Sequence, residues 1–363
     1  MTHNRWLCVL AILLLLGVAG WVWLGRKGSA EAQNGKRVEA SPSATARTDD
    51  AASASRRPKR ERPQSGEGTV IRQLMKGEFP DSELTAEQIE RFLNLHGRTG
   101  ENLVVASRLS RENGSDYLRE AAEKFPDHPI VQLELAFKAS DPDEQRKALD
   151  HFRKLDPNNA LGDILSAALA FQQGDPEQAQ KDLGEMASHS RYDSFTKTLG
   201  LQTEAAYGSV GFSQVDARTL GTFGVAMPEM FLIVKIGSDG VKARQDLATG
   251  GDVEGGERLA AAVLSASQRL QSESRTVVSE LVGLSMEQKL LKASDPDEGW
   301  PDGRTTTQAL ADLNDRQQTL RTLSSDSNRI LLSLSDEEIT RYLAKARESG
   351  EQRALEDLMN GQK

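Results

Sequence analysis

Three apolar trios at i, i+4, i+7 spacing recur through the first half of this sequence. They limit what it can fold into more than any other feature. The trios are Leu118, Ala122, Phe125; then Ala148, Phe152, Leu155; then Ala179, Leu183, Met186. Each places its three side chains on one face of an α-helix. Corresponding positions stand 30 and then 31 residues apart. The first two trios end in breakers, Phe125-Pro126-Asp127-His128-Pro129 and Leu155-Asp156-Pro157-Asn158-Asn159. A further apolar face, Ile164, Ala168 and Phe171, follows, and Gly174-Asp175-Pro176 punctuates the next turn. Pro176 suits the first position of a helix. Two helices per period of roughly 30–34 residues describe a solenoid in which each hairpin buries its face on its neighbours. The expected fold is all-α, an α-solenoid of helix-turn-helix repeats.

From Lys147 to Met186 the pattern becomes more specific. Ala148, Phe152 and Asp156-Pro157-Asn158-Asn159 are followed by Ala167, Gly174-Asp175 and Ala179. Here the sequence resembles the tetratricopeptide repeat family, and the resemblance extends over about residues 101–190. It implies stacked helical hairpins and names no ligand. Two departures stand out: the Trp and Leu-Gly signature of the first helix is missing, and Ala148 to Pro157 is about a turn short.

Two echoes widen the pattern. The run Leu84 to Leu93 returns as Leu334 to Leu343, and the offset of 250 residues holds through Gly100-Glu101 and Gly350-Glu351. Thr85 and Gln88 form a capping-box pattern, and Ile89, Phe92 and Leu93 supply the apolar face behind it. A related helix-turn unit is therefore expected at both ends of the body, as caps on the stack. Lys138-Ala139-Ser140-Asp141-Pro142-Asp143-Glu144 recurs as Lys292 to Glu298 and reads as helix stop-and-start punctuation. Between residues 195 and 300, Gly250-Gly251-Asp252-Val253-Glu254 echoes Gln173-Gly174-Asp175-Pro176-Glu177. Helical faces follow through Leu259, Val263, Ala266 and Leu270, then Val278, Leu281 and Val282. Met230 to Ile236 has strand propensity, but no second β run stands near to pair with it, so a helix is expected there. Aromatics are only 5% of the chain, which leaves Leu, Ala, Val and Ile to build the core.

Trp6 to Gly25 is a run of 20 residues without a charge. As a helix it would measure about 30 Å, the thickness of a bilayer's hydrocarbon. Trp6 stands at one end and Trp21 with Trp23 near the other, where an aromatic belt would lie, and Leu13 and Leu14 sit at the middle. The rival is a cleaved signal peptide, with Ala30-Glu31-Ala32 as a small-x-small site. That run exceeds the usual export h-region of about 7–15 residues. The expected organisation is a transmembrane anchor at residues 1–27, a disordered basic linker at 28–70, tetratricopeptide-like repeats at 71–200, and a helical region continuing the solenoid at 201–363. The anchor is expected to contact the bilayer through residues 6–25 and to place the body on the extracytoplasmic side. The alternatives are a cytoplasmic body or export after cleavage. The linker carries almost no large apolar residue and would span about 35 Å as a flexible coil. Arg56, Arg57, Lys59, Arg60 and Arg62 within it are candidate polyanion contacts, against a reading as a solvated spacer.

Charge divides the chain. Residues 1–70 hold 11 Lys and Arg against 6 Asp and Glu, and the remainder holds 34 against 48. So acidic a body argues against nucleic acid as a partner. The single cysteine, Cys8, lies in the apolar run, leaving the body without disulfide or thiolate ligand. His3, His96, His128, His151 and His189 form no metal-motif spacing, and neither a nucleophile elbow nor a phosphate loop occurs. Asp295-Pro296-Asp297 begins like a calcium loop, but Gly299, Trp300 and Thr306 break the pattern. Trp300 is expected to pack over a helix end, with a recognition residue as the alternative. Acid pairs such as Glu337-Glu338 and Asp49-Asp50 are ordinary in so acidic a chain. The sequence thus reads as a membrane-anchored scaffold for an unknown protein or peptide, in cell-envelope assembly or transport, without cofactor or metal. A self-associating spacer, a homo-oligomer with no separate ligand, is the alternative. An enzyme with a degenerate site ranks third.

Overall fold

In the computed structural model, the structure describes residues 69–361 apart from 77, 79–81, 274 and 301–302. Among them every regular element is helical, and three isolated bridges are the only β pairings. The expected anchor residues Trp6, Leu13, Leu14, Trp21 and Trp23 lie outside the described residues, as do Arg56, Arg57, Lys59, Arg60 and Arg62. Among the described residues no helix is long and apolar enough to cross a membrane.

Helix α1 spans Thr69–Met75 and α2 spans Ala86–His96. Three hairpins follow: α3 (Gly100–Leu109) with α4 (Gly114–Lys124), α5 (Pro129–Lys138) with α6 (Pro142–Leu155), and α7 (Ala160–Gln173) with α8 (Pro176–Met186). Each hairpin also touches the next, through α4–α5 and α6–α7, the consecutive packing of a helical solenoid. The trios fall on α4, α6 and α8, with Phe125 at the C-cap of α4, and Phe152, Ala179, Leu183 and Met186 are wholly buried. The first helix of each hairpin is covered on more sides; in α7 every residue from Ala160 to Ala170 is buried. Short polar side chains start the helices. Asp141, Asn159 and Asp175 accept backbone N–H groups ahead of α6, α7 and α8. Gly174 closes α7 at φ 75°, a left-handed angle that glycine adopts without a Cβ clash.

The second half begins with α9 (Thr196–Ser209) and α10 (Gln214–Phe223), which approach backbone to backbone. A Cβ on Gly221 would lie 2.5 Å from the Gly200 carbonyl oxygen, so only glycine allows this contact. Then α11 (Glu229–Thr249), α12 (Val253–Glu273) and α13 (Val277–Lys292) pack pairwise into a three-helix layer. Met230 to Ile236 lies within α11, where burial of Met230, Ile233 and Ile236 follows helical spacing. Leu259, Val263, Ala266 and Leu270 are buried along α12. The layer rests on the repeats through α11 on α7 and α12 on α8. Last come α14 (Thr306–Leu331), α15 (Asp336–Ser349) and α16 (Glu351–Asn360).

The two copies of the Lys-Ala-Ser-Asp-Pro-Asp-Glu segment part company. Both end a helix, and in both the Asp accepts the N–H two residues on, at 3.0 Å for Asp141 and 2.9 Å for Asp295. Only the first starts a helix. After Asp295 the chain loops on, and α14 waits until Thr306.

The terminal units hold the largest departure from the expected layout. Both capping boxes form, Thr85 with Gln88 and Ser335 with Glu338. Yet the units do not cap opposite ends of a stack. Helices α2 and α3 pack on α9, while α15 packs on α10, so both units flank the central hairpin. Helix α1 reinforces this closure: the Val70 N–H donates to Asp216 on α10 at 2.9 Å, and Arg72 pairs with Asp336 on α15 at 3.2 Å. One large apolar cluster runs from Val70 to Leu320, crossing residue 200 inside α9. A smaller one joins Ile71 to α10, α13, α14, α15 and α16.

Candidate functional site

A shallow cleft with an enclosed volume of about 70 Å³ opens where the α9–α10 hairpin meets the start of α13 and the α15–α16 unit. Phe223, Val225, Met227, Val278 and Ala346 make its apolar lining. Lys197, Arg275, Arg347 and Glu351 supply its charge. Three helices begin here. Thr196 and Lys197 open α9, Thr276 caps α13 by accepting the Ser279 N–H, and Glu351 is the first residue of α16. Each helix N-terminus carries positive partial charge.

Glu351 is 7% exposed and accepts the Val277 N–H at 2.9 Å, stopping one of the open donors of α13. Burial pushes its carboxyl up to about 7, against the opposing pull of that hydrogen bond. In turn the Glu351 N–H donates to the Arg275 carbonyl at 2.8 Å, at the turn where Gly350 takes φ 93°. Arg347 pairs with Glu204 of α9, which also accepts from Arg218 at 3.1 Å. Arg275 is engaged differently: it donates to the Glu348 carbonyl at 2.9 Å, at the end of α15. Lys197 is exposed. Among the described residues, neither Arg275 nor Lys197 has a carboxylate partner.

Two other polar clusters lie in the interior. Asp163, Asp182 and Glu185 converge closely enough to hold a metal ion. The Arg153 guanidinium already stands among them, at 2.5, 3.4 and 3.0 Å. It supplies the positive charge a cation would bring, so this is an internal ion-pair network. His189 pairs with Asp163 as well. The second cluster joins α3, α5 and α11: Arg108 pairs with buried Glu134 at 2.6 Å and donates to the Ala226 carbonyl at 3.0 Å. Burial pushes the nearby Glu229 carboxyl up to about 7, with Arg108 opposing and Glu134 reinforcing. Among the described residues the buried Tyr192 hydroxyl has no hydrogen-bond partner.

Trp300 is buried, and its Nε1–H donates to Thr306 Oγ1 at 2.9 Å, so it packs at the start of α14. Glu338 completes a cap, and His128 and His151 pair with Glu101 and Asp127 at 3.1 and 3.2 Å. The cleft residues were not singled out from sequence, except that Glu351 belonged to the long-range echo and Val278 to an expected helical face. Lys197, Arg275 and Arg347 come from three distant segments, and no local spacing connects them. No protein-family model, curated protein or solved structure matches this chain.

Proposed function

We propose that this protein is a scaffold holding a peptide or protein partner in the cleft between the α9–α10 hairpin and the α15–α16 unit. Residues 6–25 would hold it at a membrane, with the body extracytoplasmic and residues 28–68 as the tether, the expected 28–70 linker ending where α1 begins at Thr69. The observation that carries the reading is the cleft itself: an apolar lining with a few converging charged groups, at a junction of elements far apart in sequence. Such concave, mostly apolar sites with few placed polar groups are where proteins take ligands. Leu201, 45% exposed one turn beyond Lys197 on α9, extends the apolar surface outward.

The test is photo-crosslinking with the full chain in its native cells. A photoreactive residue at Leu201 or Thr222 should capture a partner polypeptide. The same residue at Val253, exposed at the start of α12, should not. Equal capture from all three positions would refute the assignment. Adducts only to a second copy of the chain would favour a self-associating spacer.

A further inference from the structure

The cleft's charge runs against the rest of the body. Residues 71–363 carry 34 Lys and Arg against 48 Asp and Glu, yet among the described residues Lys197 and Arg275 have no carboxylate partner here, Arg275 donating to the Glu348 carbonyl instead. The N-terminal ends of α9, α13 and α16 add to the same positive field. Glu351, the acid of the cleft, is turned into the protein, bonded to the Val277 N–H. Beside the cations lie Phe223, Val225 and Met227, each partly exposed. The surface complements a ligand that is apolar and carries one anionic group within a few ångströms.

We propose that the cleft takes the C-terminal residue of its partner, with the free α-carboxylate against Lys197 and Arg275 and the apolar side chain on Phe223, Val225 and Met227. This rests on the reading of the cleft as a partner site. A chain's last residue is the one place where a polypeptide carries a carboxylate and an apolar side chain on the same Cα. An internal Asp or Glu supplies the acid without the apolar group.

The related N-terminal unit shows what a closed version looks like. There a Cβ on Gly100 would meet the His128 ring at 3.1 Å and Val131 at 3.3 Å, and His128 Nε2 lies 3.1 Å from Glu101. Side chains of α5 and its cap cover the start of α3. At the matching Gly350, the nearest atoms are backbone of Arg275, at 3.5 Å or more. The start of α16 borders the cleft instead.

The experiment uses the full chain in detergent micelles and fluorescein-labelled random hexapeptide pools ending in Leu, Ile, Val or Phe. Each pool is made as the free acid and as the C-terminal amide, and binding is read by fluorescence anisotropy. The free acids should bind at least tenfold tighter than the amides. Lys197→Glu combined with Arg275→Glu should erase that difference while the far-ultraviolet circular dichroism stays unchanged. Equal binding of acid and amide, with crosslinking from Leu201 intact, would overturn the C-terminal reading and leave the cleft as a partner site. Binding of neither, together with no crosslink, would overturn both. Dodecanoate binding more tightly than every pool would overturn the proposal in favour of a fatty acyl ligand.

Discussion

Replacing Glu351 by glutamine should stabilise the protein, and by more as pH rises. Burial lifts this carboxyl from its ordinary 4.5 to about 7, so the folded state holds its proton more tightly than the unfolded chain does. A raised carboxyl contributes stability that is fully present below about pH 4.5 and is lost as pH climbs through the folded pKa. Between pH 6 and pH 8.5 the wild-type chain should lose about 1.4 kcal/mol at this one group. Glutamine carries no charge to bury, and its carbonyl can still accept the Val277 N–H that Glu351 takes at 2.9 Å. The stability gap should therefore grow by about 1.4 kcal/mol over that range, reaching about 3 kcal/mol at pH 8.5. Glu229, also raised to about 7, contributes the same slope to both proteins and drops out of the difference. The assay is urea unfolding of the full chain in micelles, followed by circular dichroism at pH 6, 7 and 8.5, all above the sequence pI of about 5.3. Parallel pH slopes for the two proteins, or a glutamine variant less stable at pH 8.5, would refute the reasoning.

Gly221→Ala should cost about 1–3 kcal/mol by overpacking, because its Cβ would meet the Gly200 oxygen at 2.5 Å and Glu204 Cβ at 2.9 Å. Gly208→Ala on the same hairpin has nothing within 4 Å and should be neutral or stabilising by about 0.5–1 kcal/mol; thermal melts of the pair compare them directly. Arg153→Ala should cost about 3–5 kcal/mol, since it strips the counter-charge from buried Asp163 and Asp182. In that variant, and not in the wild type, added magnesium or calcium should raise the melting temperature. Tyr192→Phe should be neutral or stabilising by about 1 kcal/mol in urea unfolding, because the buried hydroxyl it removes has no hydrogen-bond partner among the described residues.

The helices could be read from the sequence because helix formation is local. Thr85 with Gln88 and Ser335 with Glu338 are signals four residues long, and each marks a helix start in the structure. The trio faces are equally local, and all three fall on the second helix of a hairpin except Phe125, which caps the end of α4. Where a local signal admitted two outcomes, packing chose. Met230 to Ile236 reads as strand or helix by propensity, and contact with α7, α12 and α13 buries one helical face of it. Asp295 makes the same turn as Asp141, but no helix follows, and Glu298 is drawn instead to Arg244 at 2.8 Å. The closure of α2–α3 and α15–α16 on the α9–α10 hairpin had no such signal, because it depends on surfaces far apart in the sequence.

The same limit explains why the echo of Gly100-Glu101 in Gly350-Glu351 marked related structure and could not reveal unlike chemistry. Both glutamates stand at the start of the second helix of their unit. Burial pushes Glu101 up, but hydrogen bonds from its own N–H and from Thr99, with His128 alongside, hold it below the ordinary carboxylate value. Glu351 has the Val277 N–H against deeper burial, and there burial wins. The difference lies in the neighbours: a histidine at the start of α5 in one case, the backbone start of α13 in the other. Neither neighbour is encoded near its glutamate. A histidine placed opposite Glu351 would reproduce the first environment; beside Glu351, among the described residues, Lys197 and Arg275 have no carboxylate partner, and Arg275 donates to the Glu348 carbonyl.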